Sequence, residues 1–115
     1  MARRGEVLLL KGRLGFAARG DGELFVVVQD DRLGDSLLPT TIALPLDSAT
    51  ALYERSPWAV PVSAEEAGAR VAYVAVATHP CTIALERFAP AAVGRLKAAT
   101  LAKLDRVLRL VLGLS

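Results

Sequence analysis

Asparagine is missing altogether from this 115-residue chain, and glutamine, histidine, cysteine, tryptophan and methionine occur once each. A single cysteine, Cys81, closes no internal disulfide, and with one histidine beside it there is no ligand cluster for a structural zinc ion. No metal and no cofactor is therefore expected, and the location is expected to be cytoplasmic. Apolar runs are short, well below the ~20 residues that cross a bilayer. The opening Met-Ala-Arg-Arg-Gly-Glu leads only into Val7 to Leu10 before Lys11 interrupts, which is too short for a signal peptide. No membrane association is expected. Depletion of thermolabile side chains suits a thermophile, although a GC-rich genome produces the same arginine and alanine bias. No repeat, low-complexity segment or linker appears, so residues 1–115 are expected to form one domain.

What is present is apolar: 53% of residues, with a mean hydropathy of +0.40. Surplus hydrophobic surface has to be covered, which predicts a homodimer; an alanine- and leucine-rich core is the alternative. Net charge is +2, and eleven of the fourteen basic residues are arginine, whose fork suits phosphates. Spread over a whole domain, that charge is only a faint signal for nucleic acid.

The chain is organised around Leu24-Phe25-Val26-Val27-Val28-Gln29. A short β-branched run preceded by Gly22 and followed by Asp30 and Asp31 reads as a strand buried on both faces. Further strands are expected at Glu6–Lys11, Thr40–Leu46, Trp58–Val62 (a short edge), Arg70–Thr78 and Val93–Leu96. Pro45 lacks an amide donor, so that end of its strand should be an edge or a bulge. Ser63 and Glu66 have the spacing of a capping box, with Gly68 limiting it to a single turn. From Ala98 to Leu112 the period becomes helical, with Leu101, Leu104, Leu108 and Val111 on one face and Gly113 as the stop. Arg106 and Arg109 read as the solvated face. The fold class expected is mainly β, or α+β, with the strands closed by a C-terminal helix.

Several residues are candidates for chemistry. Arg13 and Arg19, in the glycine-bearing loop before the central strand, suit phosphate binding or simply keep that loop soluble. Glu23 and Asp47 are candidates for a paired-carboxylate acid/base system, or are ordinary surface acids. His79 titrates in the useful range for a general base, but in Thr-His-Pro-Cys it also reads as a turn residue. Cys81 beside it lacks an orienting third group for nucleophilic work. Trp58 is a stacking platform or an edge-strand core residue.

Arg4-Gly5-Glu6-Val7, Val26-Val27-Val28-Gln29-Asp30-Asp31, Leu38-Pro39-Thr40, Leu44-Pro45-Leu46, Val93-Gly94-Arg95-Leu96, Leu104-Asp105 and Leu108 to Leu114 together resemble the MazF/PemK/Kid toxin family over nearly the whole chain. The resemblance implies a small antiparallel SH3-like (CcdB/MazF-like) β-barrel, a dimer, metal-free cleavage of single-stranded RNA, and an acidic antitoxin partner. DNA would be reached only through an antitoxin complex. In such cleavage the ribose 2′-oxygen attacks the adjacent phosphate, while a cationic donor stabilises the pentavalent oxygens. The family's Arg-Pro pair before the central strand falls on Glu23-Leu24 here, and its catalytic threonine on Asp47, with Ser48 next. Its acidic-Gln pair falls on Ala75-Val76, and its aromatic and acidic positions near the opening on Leu8 and Lys11. Cleavage is thus expected to be weakened or lost, or rebuilt from Arg13 or Arg19 with Asp47, Ser48 or His79. Loss would leave a non-catalytic dimeric module that binds antitoxin or nucleic acid.

Overall fold

A computed structural model describes residues 2–12, 22–34 and 38–114. Strands β1 (Glu6–Leu9), β2 (Leu24–Val27), β3 (Thr40–Asp47), β4 (Ala59–Val62), β5 (Tyr73–Val76), β6 (Cys81–Ala84) and β7 (Gly94–Arg95) are joined by two one-turn helices, α1 (Asp31–Gly34) and α2 (Ala64–Ala67). The long helix α3 (Ala98–Leu112) follows. The strands form one curled antiparallel sheet in the order β4-β5-β3-β2-β1-β7, with β6 also paired to β3. Arg13 and Arg19 lie outside the described residues.

β2 is buried on both faces, as its composition requires. Leu24 and Val26 pack under α3 with Val7, Leu44, Leu46, Val60 and Leu104. Phe25 and Val27 face the other way, into a second cluster with Leu8, Leu10, Ile83 and Phe88. α3 spans the expected residues and ends at Gly113 in the left-handed conformation. Of its expected core positions Leu104 is fully buried, while Leu101, Leu108 and Val111 are half-buried against the same cluster. Because β2 is enclosed within its own chain, its side chains do not reach a partner. The exposed apolar residues at this end are Leu110, Leu112 and Leu114 on α3 and its tail.

Two expectations need correction. The predicted strand over 70–78 is only Tyr73–Val76, followed by a turn and by β6, which the sequence reading left unassigned. Pro45 is buried at the centre of the sheet, paired with Phe25, rather than at an edge. The register explains how it is tolerated. The Val28 amide donates to the Ile42 carbonyl (3.0 Å), so even-numbered residues of β3 turn their backbone groups to β2. Pro45, an odd-numbered residue, turns its nitrogen to the opposite side, where β3 exchanges β6 (to Ala43) for β5 (from Leu46). The missing donor falls in the gap between two partners. The same alternation points the backbone groups of Thr82 and Ala84 away from β3, and among the described residues β6 has no second strand partner.

α3 is fixed at its start and at its middle by side chains from other elements. The Glu66 carboxylate accepts from the Ser63 amide and hydroxyl (both 3.1 Å), completing the capping box of α2, and from the Lys97 amide (2.8 Å). Lys97 is the N-cap of α3 and has no side-chain cap of its own, so Glu66 supplies it from outside. Burial pushes the Glu66 pKa up, but these bonds, with one from the Thr100 hydroxyl, more than offset it and hold the pKa below the ordinary value. Further along α3, Asp105 accepts both guanidinium nitrogens of Arg4. The Arg4 Nε donates to the Val28 carbonyl (3.0 Å) and its amide to Asp31 (2.7 Å).

α2 passes so close to β7 that side chains are excluded. A Cβ on Gly68 would lie 1.8 Å from the Val93 carbonyl oxygen, and one on Gly94 would lie 2.1 Å from that of Glu66. Gly94→Ala is expected to lower unfolding stability by about 1–3 kcal/mol in urea titration; an unchanged midpoint would show that the crossing relaxes freely. Glu66→Gln is expected to cost about 1–3 kcal/mol, because an amide nitrogen would face an N–H donor in a buried site. The unfolded chain, with the higher Glu66 pKa, takes up its proton first. Wild-type stability should therefore fall as pH drops from the ordinary glutamate range through the lowered value, and less steeply in Glu66→Gln.

Candidate functional site

The positions where chemistry was sought lie where β2 begins and β3 ends. Phe25 pairs with Pro45, so Glu23 lies just before the paired part of β2 and Asp47 is the last residue of β3. Glu23 is 1% exposed and Asp47 7%. Asp47 closes an Asx-type turn as the chain leaves β3: its Oδ1 accepts from the Ala49 amide (2.9 Å) and its Oδ2 from the Tyr53 hydroxyl (3.0 Å). Both oxygens are occupied in ordering the 3-10 turn Thr50–Tyr53. Burial, with the bond and charge of Asp47, raises the Tyr53 phenol pKa above its usual value. Ser48 is exposed beside this pair.

The remaining candidates are elsewhere. His79 is exposed in the turn between β5 and β6, opposite the middle of β3 and roughly 10 Å along that strand from Asp47. Its Nδ1 is 2.9 Å from the Thr78 hydroxyl, and the Cys81 thiol donates to its carbonyl (3.2 Å). Burial raises the Cys81 pKa, which keeps the sulfur a thiol and makes it a poor nucleophile. Ala75 and Val76 are buried strand residues, Leu8 is core and Lys11 is exposed. Trp58 is 41% exposed just outside β4, rather than packed in the core. Among the described residues no group of three or more His, Cys, Asp or Glu side chains is arranged to hold a metal ion.

Sequence reasoning missed Tyr53. The signal was the Asp47-Ser48-Ala49 step, whose Asx turn carries the chain into a helical turn and returns a side chain four residues beyond Ala49. Tyr53 also borders a cleft of about 710 Å³ between that turn, β4 and α3, together with Pro57, Pro61, Tyr73 and Lys103.

A curled antiparallel sheet covered by one C-terminal helix is the architecture of small toxin-like proteins. The family model of PemK-like, MazF-like toxins of type II toxin–antitoxin systems matches residues 3–112, and the chain belongs to that family. Similar solved structures include a mycobacterial endoribonuclease in complex with its cognate antitoxin (20% identity, TM-score 0.75, covering 97% of this chain and 95% of that one). The Mycobacterium tuberculosis toxin MazF-mt6 is another (14% identity, TM-score 0.75, 96% and 98% covered). A MazE-MazF structure from Deinococcus radiodurans is a third (20% identity, TM-score 0.71, 97% and 96% covered). At these identities the likeness establishes the fold. No curated protein matches the chain by sequence. No helix among the described residues is long and apolar enough to cross a membrane.

Asp47→Ala should lower stability by about 1–3 kcal/mol by orphaning two buried donors, while Asp47→Asn should retain most of it. In a Tyr73→Phe background, where Tyr53 is the remaining phenol, Asp47→Ala should bring the Tyr53 pKa down toward the ordinary value in an ultraviolet titration. A Tyr53 pKa that stays put would show that the carboxylate does not hold the ring.

Proposed function

We propose that this chain is the toxin-fold member of a toxin–antitoxin pair, in which metal-free cleavage of single-stranded RNA is weakened or lost while binding of partners is kept. The observation that carries this reading is the burial of a carboxylate at each of two positions, Glu23 just before β2 and Asp47 at the end of β3. Cleavage through a 2′-oxygen attack needs a cation preorganised where charge develops on the phosphate. Here two buried carboxylates occupy the positions that the family resemblance assigns to that cation and to its threonine neighbour. Asp47 is committed to Ala49 and Tyr53, which makes it a positioning residue for the turn. Ser48 and His79 are exposed but on separate segments, which does not favour a rebuilt centre. Losing such a donor lowers rates by about 10²–10³-fold.

The partner expected is an antitoxin, as in the mycobacterial endoribonuclease–antitoxin complex and the Deinococcus MazE-MazF structure, and the family resemblance implies an acidic peptide. Many of the chain's own acids are already engaged: Glu6 with Arg95, Asp30 with Arg32, Asp105 with Arg4, and Glu66 at α3. Lys103, Arg106 and Arg109 on α3 are exposed, with Glu54 and Glu66 bordering the same cleft as Lys103. The homodimer is supported by the outer edge of β6, unpaired among the described residues, and by exposed Leu110, Leu112 and Leu114. A cytoplasmic site of action and contact with DNA only through an antitoxin complex complete the reading.

Inducing the protein alone in a bacterium is expected to leave growth and message integrity near those of an empty-vector control. Growth arrest accompanied by messages cut at one short sequence would overturn the loss of cleavage. Sedimentation at micromolar concentration is expected to show a dimer, and monomer alone would remove that part of the reading.

A further inference from the structure

The cleft between the 3-10 turn, β4 and α3 takes no part in the chemistry discussed for cleavage, and its charge runs against that of the molecule. The chain as a whole carries +2. Among the described residues lining the cleft, the charged side chains are the carboxylates of Glu54 and Glu66 and the ammonium of Lys103. Glu54 and Lys103 are exposed, and neither is engaged in a hydrogen bond or ion pair among the described residues. Glu66 is buried, with its oxygens filled by Ser63 and Lys97. Tyr53 and Tyr73 add two aromatic rings, the first held in place by its bond to Asp47. The free edge of β4 completes the lining. The Ala77 amide donates to the Trp58 carbonyl (3.0 Å), which sets even-numbered residues of β4 toward β5 and turns the backbone groups of Ala59 and Pro61 outward. The Ala59 amide is taken by the Ser56 carbonyl (3.3 Å), Pro61 has no amide, and the Ser63 amide is taken by Glu66. Among the described residues this edge therefore offers carbonyl acceptors and no free donor, whereas an added strand needs both. A phosphate or carboxylate would meet two carboxylates and a row of carbonyls, with one ammonium to balance them. The complement of this cleft is a cation rich in N–H donors that can lie against an aromatic ring.

We propose that this cleft docks an arginine side chain presented by an extended segment of a partner protein. The guanidinium pairs with Glu54, donates to the β4 edge at Ala59 or Pro61, and lies against the ring of Tyr53 or Tyr73. A guanidinium is planar, weakly hydrated and carries five donors, so it meets ring, carboxylate and carbonyl together; an ammonium is a compact, strongly hydrated point charge. The cleft, at about 710 Å³, has room for the side chain and its neighbours in the segment. Lys103 borders the same space from α3, so removing its charge must tighten the complex. This occupant is distinct from an acidic antitoxin, which the cleft would repel, and the inference does not rest on the toxin–antitoxin reading.

The test titrates the full chain into fluorescein-labelled hexapeptides Gly-Ala-Leu-Xaa-Ala-Gly, with arginine, lysine, citrulline or glutamate at the fourth place, followed by anisotropy at low salt. Arginine is expected to bind tightest, lysine several-fold more weakly, and citrulline, its uncharged isostere, about tenfold more weakly. The glutamate peptide should not bind. Glu54→Gln should weaken the arginine peptide several-fold and Lys103→Glu should tighten it several-fold, both effects fading as salt is raised. Both positions are exposed, so these variants are expected to fold even if Tyr73→Leu, which removes a ring and should also weaken arginine, does not. Citrulline or lysine binding as tightly as arginine, indifference to both Glu54→Gln and Lys103→Glu, or no binding at all overturns the cleft as an arginine site. Displacement of the arginine peptide by the glutamate peptide or by a single-stranded RNA octamer also overturns it, in favour of an anionic occupant. None of these outcomes alters growth on induction or antitoxin co-purification, so the toxin–antitoxin reading stands or falls separately.

Discussion

The placement of α3, and with it everything on that side of the sheet, depends on one buried carboxylate. Glu66 sits in α2, a helix of a single turn, yet its two oxygens receive donors from both ends of a 34-residue excursion: Ser63 before it and Lys97 after it. A buried charge is costly unless its lone pairs are filled. Here they are filled by groups that would otherwise be orphaned helix amides, so one side chain resolves two problems at once. The close crossing of Gly68 and Gly94 follows from the same geometry, since α2 must lie almost in contact with the strand that leads into α3. The cleft wall formed by Lys103 inherits its position from this cap.

Further along α3 Arg4 plays the corresponding part. Its guanidinium reaches Asp105 and Val28, and its amide reaches Asp31, so the opening segment, the end of β2 and the middle of α3 are tied by one residue. The motifs that carried the family resemblance thus meet in space, and they meet as scaffold. Gly5, at φ +90, has Leu101 of α3 3.3 Å from where a Cβ would sit. Leu104 fills the core beneath β2. A chain can keep every one of these residues and still differ where phosphate chemistry would be done. On the function proposed above, that is the situation at Glu23 and Asp47.

This separation also explains what the sequence made legible. β2 and α3 were readable because burial on both faces, and a 3.6-residue period with a glycine stop, each leave a direct pattern. The Ser63–Glu66 box was readable locally, but its reach to Lys97, 31 residues away, was not. β6 was missed because four residues after a His-Pro turn carry little periodicity, and only pairing with Thr40 to Ala43 makes them a strand. Pro45 misled because a proline's cost depends on which neighbour its nitrogen faces, and that is set by register. At the candidate site, the identity of the misplaced acids was plain from the chain. Their burial and the Tyr53 hydroxyl that occupies Asp47 were products of tertiary packing.

The account predicts a toxin scaffold whose cleavage centre carries the wrong charge. The most direct measurement is single-turnover cleavage of a defined single-stranded RNA pool by the purified, antitoxin-free chain in the presence of a metal chelator, with new 5′ ends mapped by sequencing. The expected result is no ends above those of a protein-free control. Recurrent cuts within one short sequence, abolished by heating the protein, would contradict it and would return Glu23 and Asp47 to the role of a working acid/base pair.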